Sequence, residues 1–118
     1  MRRRWAGTRR RHRRRGHHGA RQRDPELART FIRWIDERKS DRPFYAFLFF
    51  DAPHGPSTCP REFEKYRPSN MSPNYVTTGK KDVVPLFNSY RNAILFDDSL
   101  VGKVLAEIKR RGLDRNSI

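Results

Sequence analysis

Between Pro43 and Pro56 the chain reads PFYAFLFFDAPHGP, an apolar run that stops at a short, rigid, histidine-bearing turn. Residues Phe44 to Phe50 are apolar and aromatic-rich without polar alternation, the pattern of a strand buried on both faces of a mostly parallel sheet. Pro43 in front and Pro53 behind fix its ends, because proline locks its own φ and restricts the residue before it. Open α/β sheets place their chemistry just beyond the carboxyl ends of their strands, and there His54 stands between Pro53 and Gly55. His54 is therefore the first candidate functional residue, and Asp51 at the strand end is a second.

The flanking segments read as helices. Asp24-Pro25-Glu26 has the form of a helix opening, with Asp as N-cap, Pro at the first helical position and an acid in the first turn. Leu27, Phe31, Trp34 and Ile35 then make one apolar stripe, which predicts a helix to about Lys39 and a turn at 40–43. Residues 57–85 carry Pro60, Pro68, Pro73 and Pro85, so they predict a long ordered loop or lid with one helical turn near 61–66. From Pro85 a longer helix follows, its apolar face formed by Leu86, Phe87, Tyr90, Ala93, Ile94, Val101, Val104, Leu105 and Ile108. Lys109, Arg110 and Arg111 suit its last turn and Gly112 its C-cap. Asp97 and Asp98 interrupt this helix, and one of them should meet a polar partner. Ile118 would open a second strand.

Charge divides the chain. Of its 27 basic residues, 11 arginines fall in residues 1–23, which contain no acid; the remaining 16 face 13 acids. The formal charge of +14 thus belongs to an arm on a nearly balanced body, and no specific nucleic-acid partner is expected for that body. Trp5 is the arm's only large apolar residue, so residues 1–23 should be disordered. As a function, such an arm suits phosphate on nucleic acid or anionic lipid; a solvated tail, or residues translated from a wrong start site, is the plainer alternative. His12, His17 and His18 lack a framework that would fix metal geometry. No apolar core of a signal peptide follows the basic residues, and no apolar run approaches the roughly 20 residues of a membrane span. A single cysteine, Cys59, excludes an internal disulfide.

Strand, Asp-Ala-Pro-His-Gly-Pro turn, the short acidic and aromatic segment with Pro60, Glu62, Phe63 and Tyr66, and the helix from Tyr90 through Asp98 to Gly102 together resemble the middle of the sulfatase family, in the alkaline-phosphatase-like superfamily. Bacterial membrane-anchored sulfatase-like proteins and the lipid A phosphoethanolamine transferases are the most similar branch, over roughly residues 24–118. The resemblance implies an α/β fold, a fragment of a three-layer α/β/α sandwich, with residues 24–118 as part of the catalytic domain and the arm outside it. It implies an anionic sulfate or phosphate ester as substrate, including lipid-linked ones, and a divalent metal (Ca, Zn or Mg). By the same likeness the parent would sit in the cell envelope, anchored in the inner membrane by segments outside this chain and with a periplasmic catalytic domain.

In that family the nucleophile and the first metal-binding acids precede the matched region, and an Asp-His-Gly metal motif follows the long helix. The chain thus resembles an internal piece that is inactive alone. His54 corresponds to the histidine that approaches the ester, where a ring N–H stabilises oxygens as they gain charge. Lys80 and Lys81 in the loop are candidate contacts to an anionic substrate, or solvated loop residues. No metal ligand is assigned. Cys59 is followed by Pro60 and Arg61, one and two residues on, whereas the formylglycine signal needs them at two and four; a free loop thiol is the better reading. Asp98 would be a structural acid holding the neighbouring loop, with Tyr90 and Gly102 as packing residues. Two other classes stay open: a non-catalytic relative that binds lipid or a partner, and a small basic nucleic-acid-binding protein that depends on the arm.

Overall fold

In the computed structural model residues 19–39 and 42–117 are described, so the arm up to residue 18, positions 40 and 41 of the expected turn, and Ile118 lie outside the described residues. Two helices carry the structure: α1, Ala20–Glu37, and α2, Val83–Arg110. Short 3₁₀ turns occur at Arg61–Phe63, Lys80–Asp82 and Leu113–Asn116. Both helices were legible from their apolar spacing, and the 3₁₀ turn at Arg61–Phe63 falls where one helical turn was expected.

The start of α1 is not. Gly19 rather than Asp24 is the N-cap, and its carbonyl accepts the N–H groups of Gln22 at 2.9 Å and Arg23 at 3.1 Å. Residues 20–23, assigned to the disordered arm, are therefore helical; Ala, Arg and Gln are good helix formers and extend the helix past the cap-like Asp-Pro pair. Pro25 then lies inside α1, and the backbone carbonyl its missing N–H leaves free belongs to the exposed Arg21. The buried side of α1 consists of Ala20, Asp24, Ala28, Phe31 and Ile35, at helical spacing.

The expected α/β three-layer sandwich is not what the chain forms. Among the described residues there is no strand and no sheet, and Phe44–Phe50 is an extended segment without a ladder partner. A strand exists only through its neighbours, and the local sequence encodes the extended backbone but not the pairing. Nor is the segment buried on both faces: Tyr45, Phe47 and Phe49 are 86%, 74% and 66% exposed, while Leu48 and Phe50 pack against the core.

The segment runs back along α1. Phe44 meets Trp34 edge-on with centroids 5.2 Å apart and lies under the Arg38 guanidinium at 4.4 Å, whereas Asp51 and Ala52 meet Asp24. Helix α2 runs in the same direction as α1, since Asp97 lies beside Asp24 and Arg111, just past α2, bonds to Asp36 at 2.5 Å. Ala28, Phe31 and Ile35 of α1 and Ala93, Phe96, Leu100 and Val104 of α2 form the core with Ala52 and Cys59.

The loop is laid along α2 in reverse order. Phe63 packs on Phe96 at 5.2 Å between centroids. Asn92 accepts the Tyr66 N–H at 2.8 Å and donates to the Tyr66 carbonyl at 3.0 Å. Asn88 donates to the Pro68 carbonyl at 2.9 Å, and the Asn70 N–H donates to the Ser89 hydroxyl at 2.8 Å. Buried backbone polar groups must find partners, and here amide and hydroxyl side chains of a helix supply them. The apolar face expected for α2 is consequently only partly used: Phe87, Tyr90, Ile94, Val101 and Leu105 are exposed. Gly102 is no close-approach site, because a Cβ there would meet nothing within 4 Å. Gly112, by contrast, takes the left-handed φ of 68° that ends a helix.

An exposed extended segment with alternating phenyl rings is an aggregation template. Replacing Phe47 and Phe49 by Lys should lower binding of a hydrophobic dye and slow aggregation. Their exposure predicts a change in unfolding free energy within about 0.5 kcal/mol, as for other surface positions. Circular dichroism and urea melts on the double variant check this, and loss of helical signal would show that the two rings are packed.

Candidate active site

The His54 turn is built almost wholly from backbone hydrogen bonds. The His54 N–H donates to the Asp51 carbonyl at 3.0 Å, and the Ser57 N–H donates to the His54 carbonyl at 2.8 Å. The Ser57 hydroxyl donates to the Pro53 carbonyl at 2.9 Å. Ser57 has φ of 53°, a left-handed conformation uncommon for a residue with a side chain, and these two bonds hold it there. Upstream, Asp24 of α1 accepts the N–H of Asp51 at 3.0 Å and of Ala52 at 2.7 Å through one carboxyl oxygen. Arg23, one residue earlier, pairs with the Asp51 carboxylate.

On this frame the imidazole of His54 is exposed. Its Nδ1 lies 3.2 Å from the Gly55 carbonyl, so a proton on Nδ1 satisfies that oxygen and Nε2 is left for an outside group. The loop comes back over the turn at Tyr75, whose hydroxyl would be 3.0 Å from a Cβ at Gly55. Glycine permits that approach. A ring presented outward beside a phenol, on a turn anchored to a helix, is suited to hydrogen-bond an anionic group.

Lys80 and Lys81 stand elsewhere, exposed at the entry to α2. Lys81 lines an open recess of about 330 Å³ with Asn74, Thr77, Thr78 and Asp82, and His54 is not among the lining residues. Of the three residues, only Lys81 lines this recess. Asp82 closes the end of the loop by accepting the Gly79 N–H at 2.8 Å.

Cys59 is buried and has no disulfide partner. Burial, with the carboxylates of Glu64 and Glu62 adding to it against Arg21, pushes the thiol above its ordinary range. Asp98 is exposed, and the acid that turns inward is Asp97. Asp98 thus does not hold the loop, which hangs instead on Asn88, Ser89 and Asn92.

The sulfatase family model matches residues 5–118. The chain belongs to the sulfatase family. The match takes in most of the arginine-rich arm as well as the body. No solved structure matches the chain significantly.

Sulfatases generally work with a divalent metal. The described residues of this sulfatase do not fit one: no three of their His, Cys, Asp and Glu side chains are grouped to hold an ion. One close carboxyl pair, Asp24 and Asp97, already has an oxygen committed to two amides. No helix among the described residues is long and apolar enough to cross a membrane.

Sequence reasoning located His54 and its turn but missed three residues that support them. Asp24 was hidden by its resemblance to an N-cap. Asp97 was visible only as one of two acids in an apolar helix, and Tyr75 carried no signal, since its role comes from where the loop lands. Because its thiol is buried and held protonated, Cys59 should resist alkylation by iodoacetamide at pH 7.5 in the folded sulfatase chain and react in urea. Mass spectrometry of the labelled protein reads the difference. Rapid labelling without denaturant would place the thiol at the surface.

Proposed function

We propose that this sulfatase chain supplies the anion-facing histidine of an ester-cleaving site, and that the 118 residues alone do not turn substrate over. The observation that carries the reading is the outward imidazole of His54 on a turn whose backbone is fixed from both sides. Doubly protonated, the ring satisfies the Gly55 carbonyl through Nδ1–H and offers Nε2–H to an ester oxygen. A fixed donor stabilises such an oxygen more as charge builds on it, which accelerates the reaction rather than merely tightening binding. The substrate class is a sulfate or phosphate ester, phosphoethanolamine esters and lipid-linked forms included, and an envelope location belongs to the same proposal. The metal that family members use is not drawn from the described residues. Cys59, buried and wrongly spaced for formylglycine formation, does not provide the nucleophile.

In a complete sulfatase site that includes this turn, His54→Ala should lower kcat about a hundredfold, the scale of one lost preorganised donor, with a smaller effect on KM. His54→Gln retains a donor and should recover part of the loss. Steady-state kinetics with parallel thermal melts tests both. An unchanged kcat, or a loss that follows unfolding, removes His54 from the chemistry. The isolated chain should show no hydrolysis of 4-nitrophenyl sulfate or phosphate above background with calcium, magnesium or zinc, and metal-dependent turnover that survives purification would overturn that part.

A further inference from the structure

Two aspartates from different helices meet beneath the His54 turn. Asp24 of α1 is 2% exposed and Asp97 of α2 is 8% exposed. Asp24 spends one oxygen on the backbone N–H groups of Asp51 and Ala52, the two residues that lead into the turn. Asp97 has a buried oxygen, Oδ1, that receives no hydrogen bond from any N–H or O–H donor. Arg23, the residue before Asp24, pairs with Asp51, and no basic side chain among the described residues bonds to either carboxyl of the pair.

Two adjoining carboxylates without a cation cannot both stay charged in a buried place, so they must hold a proton between them. A proton on Asp97 resolves the orphaned atom, because the carboxyl then donates to Asp24 instead of waiting for a donor. We propose that Asp24 and Asp97 work as a carboxyl–carboxylate clamp that positions the His54 turn: Asp97 donates to Asp24, and Asp24 holds the Asp51 and Ala52 amides. As a role in catalysis it rests on the reading that His54 meets the ester; as a clamp it does not. The pKa of Asp97 fits, raised to about 7 by burial first, then by the charge and hydrogen bond of Asp24 and the charge of Asp51, against a lowering contact with the Ala52 backbone.

The sign of the pH effect follows. Asp97 is protonated in the folded chain at pH values where the unfolded chain, near 3.8, has already lost that proton. Its contribution to stability is complete below the unfolded value and is lost as pH rises through about 7. Above that, two facing negative charges push α1 and α2 apart at the turn.

The test is hydrogen exchange of the Asp51 and Ala52 amides by NMR at pH 5 and pH 8, corrected for intrinsic rates, with urea melts at both. In the unsubstituted chain both amides should be better protected, and the fold more stable, at pH 5. Asp97→Asn replaces the shared proton by a permanent N–H donor and should make protection and stability the same at both pH values. Asp24→Ala should raise exchange at these two amides by about tenfold or more, the scale of a lost hydrogen bond, with less effect on amides inside α2. If that variant does not fold, Asp24→Asn, which keeps an acceptor, should retain the protection. Protection independent of pH in the unsubstituted chain, or a pH dependence that survives Asp97→Asn, overturns the clamp. None of these readouts needs turnover, so an unchanged kcat in His54→Ala would discard the catalytic role and leave the clamp standing.

Discussion

One carboxyl oxygen organises this molecule. Asp24 reaches from α1 to the two amides at the end of the extended segment, at 3.0 and 2.7 Å, and fixes where the chain may turn. Everything near His54 is placed relative to that contact: the residues of the turn bond to each other, and Asp24, with Arg23 beside it on Asp51, bonds the chain entering the turn to a helix. A carboxylate accepting backbone amides makes stronger bonds than a neutral acceptor would, and burial raises the cost of losing them. The same oxygen therefore couples helix packing to the geometry of an exposed imidazole.

The layout of the two helices explains why such a contact is needed. They point the same way, so the chain must travel back the length of α1 before α2 can begin. The return is made by Phe44–Phe50, which has no ladder of its own and relies on Trp34 and Arg38 at one end and Asp24 at the other. Between those ends only Leu48 and Phe50 contribute to the core.

What could be read from the sequence divides along the range of the interactions. The helices were legible because their signal is local: Phe31 and Ile35, or Ala93, Leu100 and Val104, repeat at helical spacing whatever surrounds them. The turn was legible because Pro53, His54 and Gly55 restrict their own backbone. The sheet was not, because the apolar run 44–50 reports only a preference for extended backbone, and partners are a property of other residues. Asp24 misled for the opposite reason, a strong local motif overridden by Ala20–Arg23 continuing the helix and by a partner 27 residues away. Of the site, the histidine was visible and its supports were not, since Tyr75 and Asp97 acquire meaning only once the loop and α2 are in place. The lysines at 80 and 81 had charge to recommend them, and of the two Lys81 lines a recess that His54 does not.

The attachment of the loop to α2 also fixes a scale. Tyr66 and Pro68 meet Asn92 and Asn88, one turn of α2 apart, and the Asn70 N–H reaches both the Ser89 hydroxyl and the Pro85 carbonyl. Four helical residues span about 6 Å, so all these attachments fall within about two turns of α2. Between Tyr66 and Asn70 the loop is consequently pinned to the helix at three residues, and adding or removing one residue there would displace those attachments. Beyond Asn70 the chain leaves the helix, and at Tyr75 it meets the His54 turn. A change of length between Asn70 and Tyr75 would leave the attachments to α2 in place but carry the phenol away from Gly55.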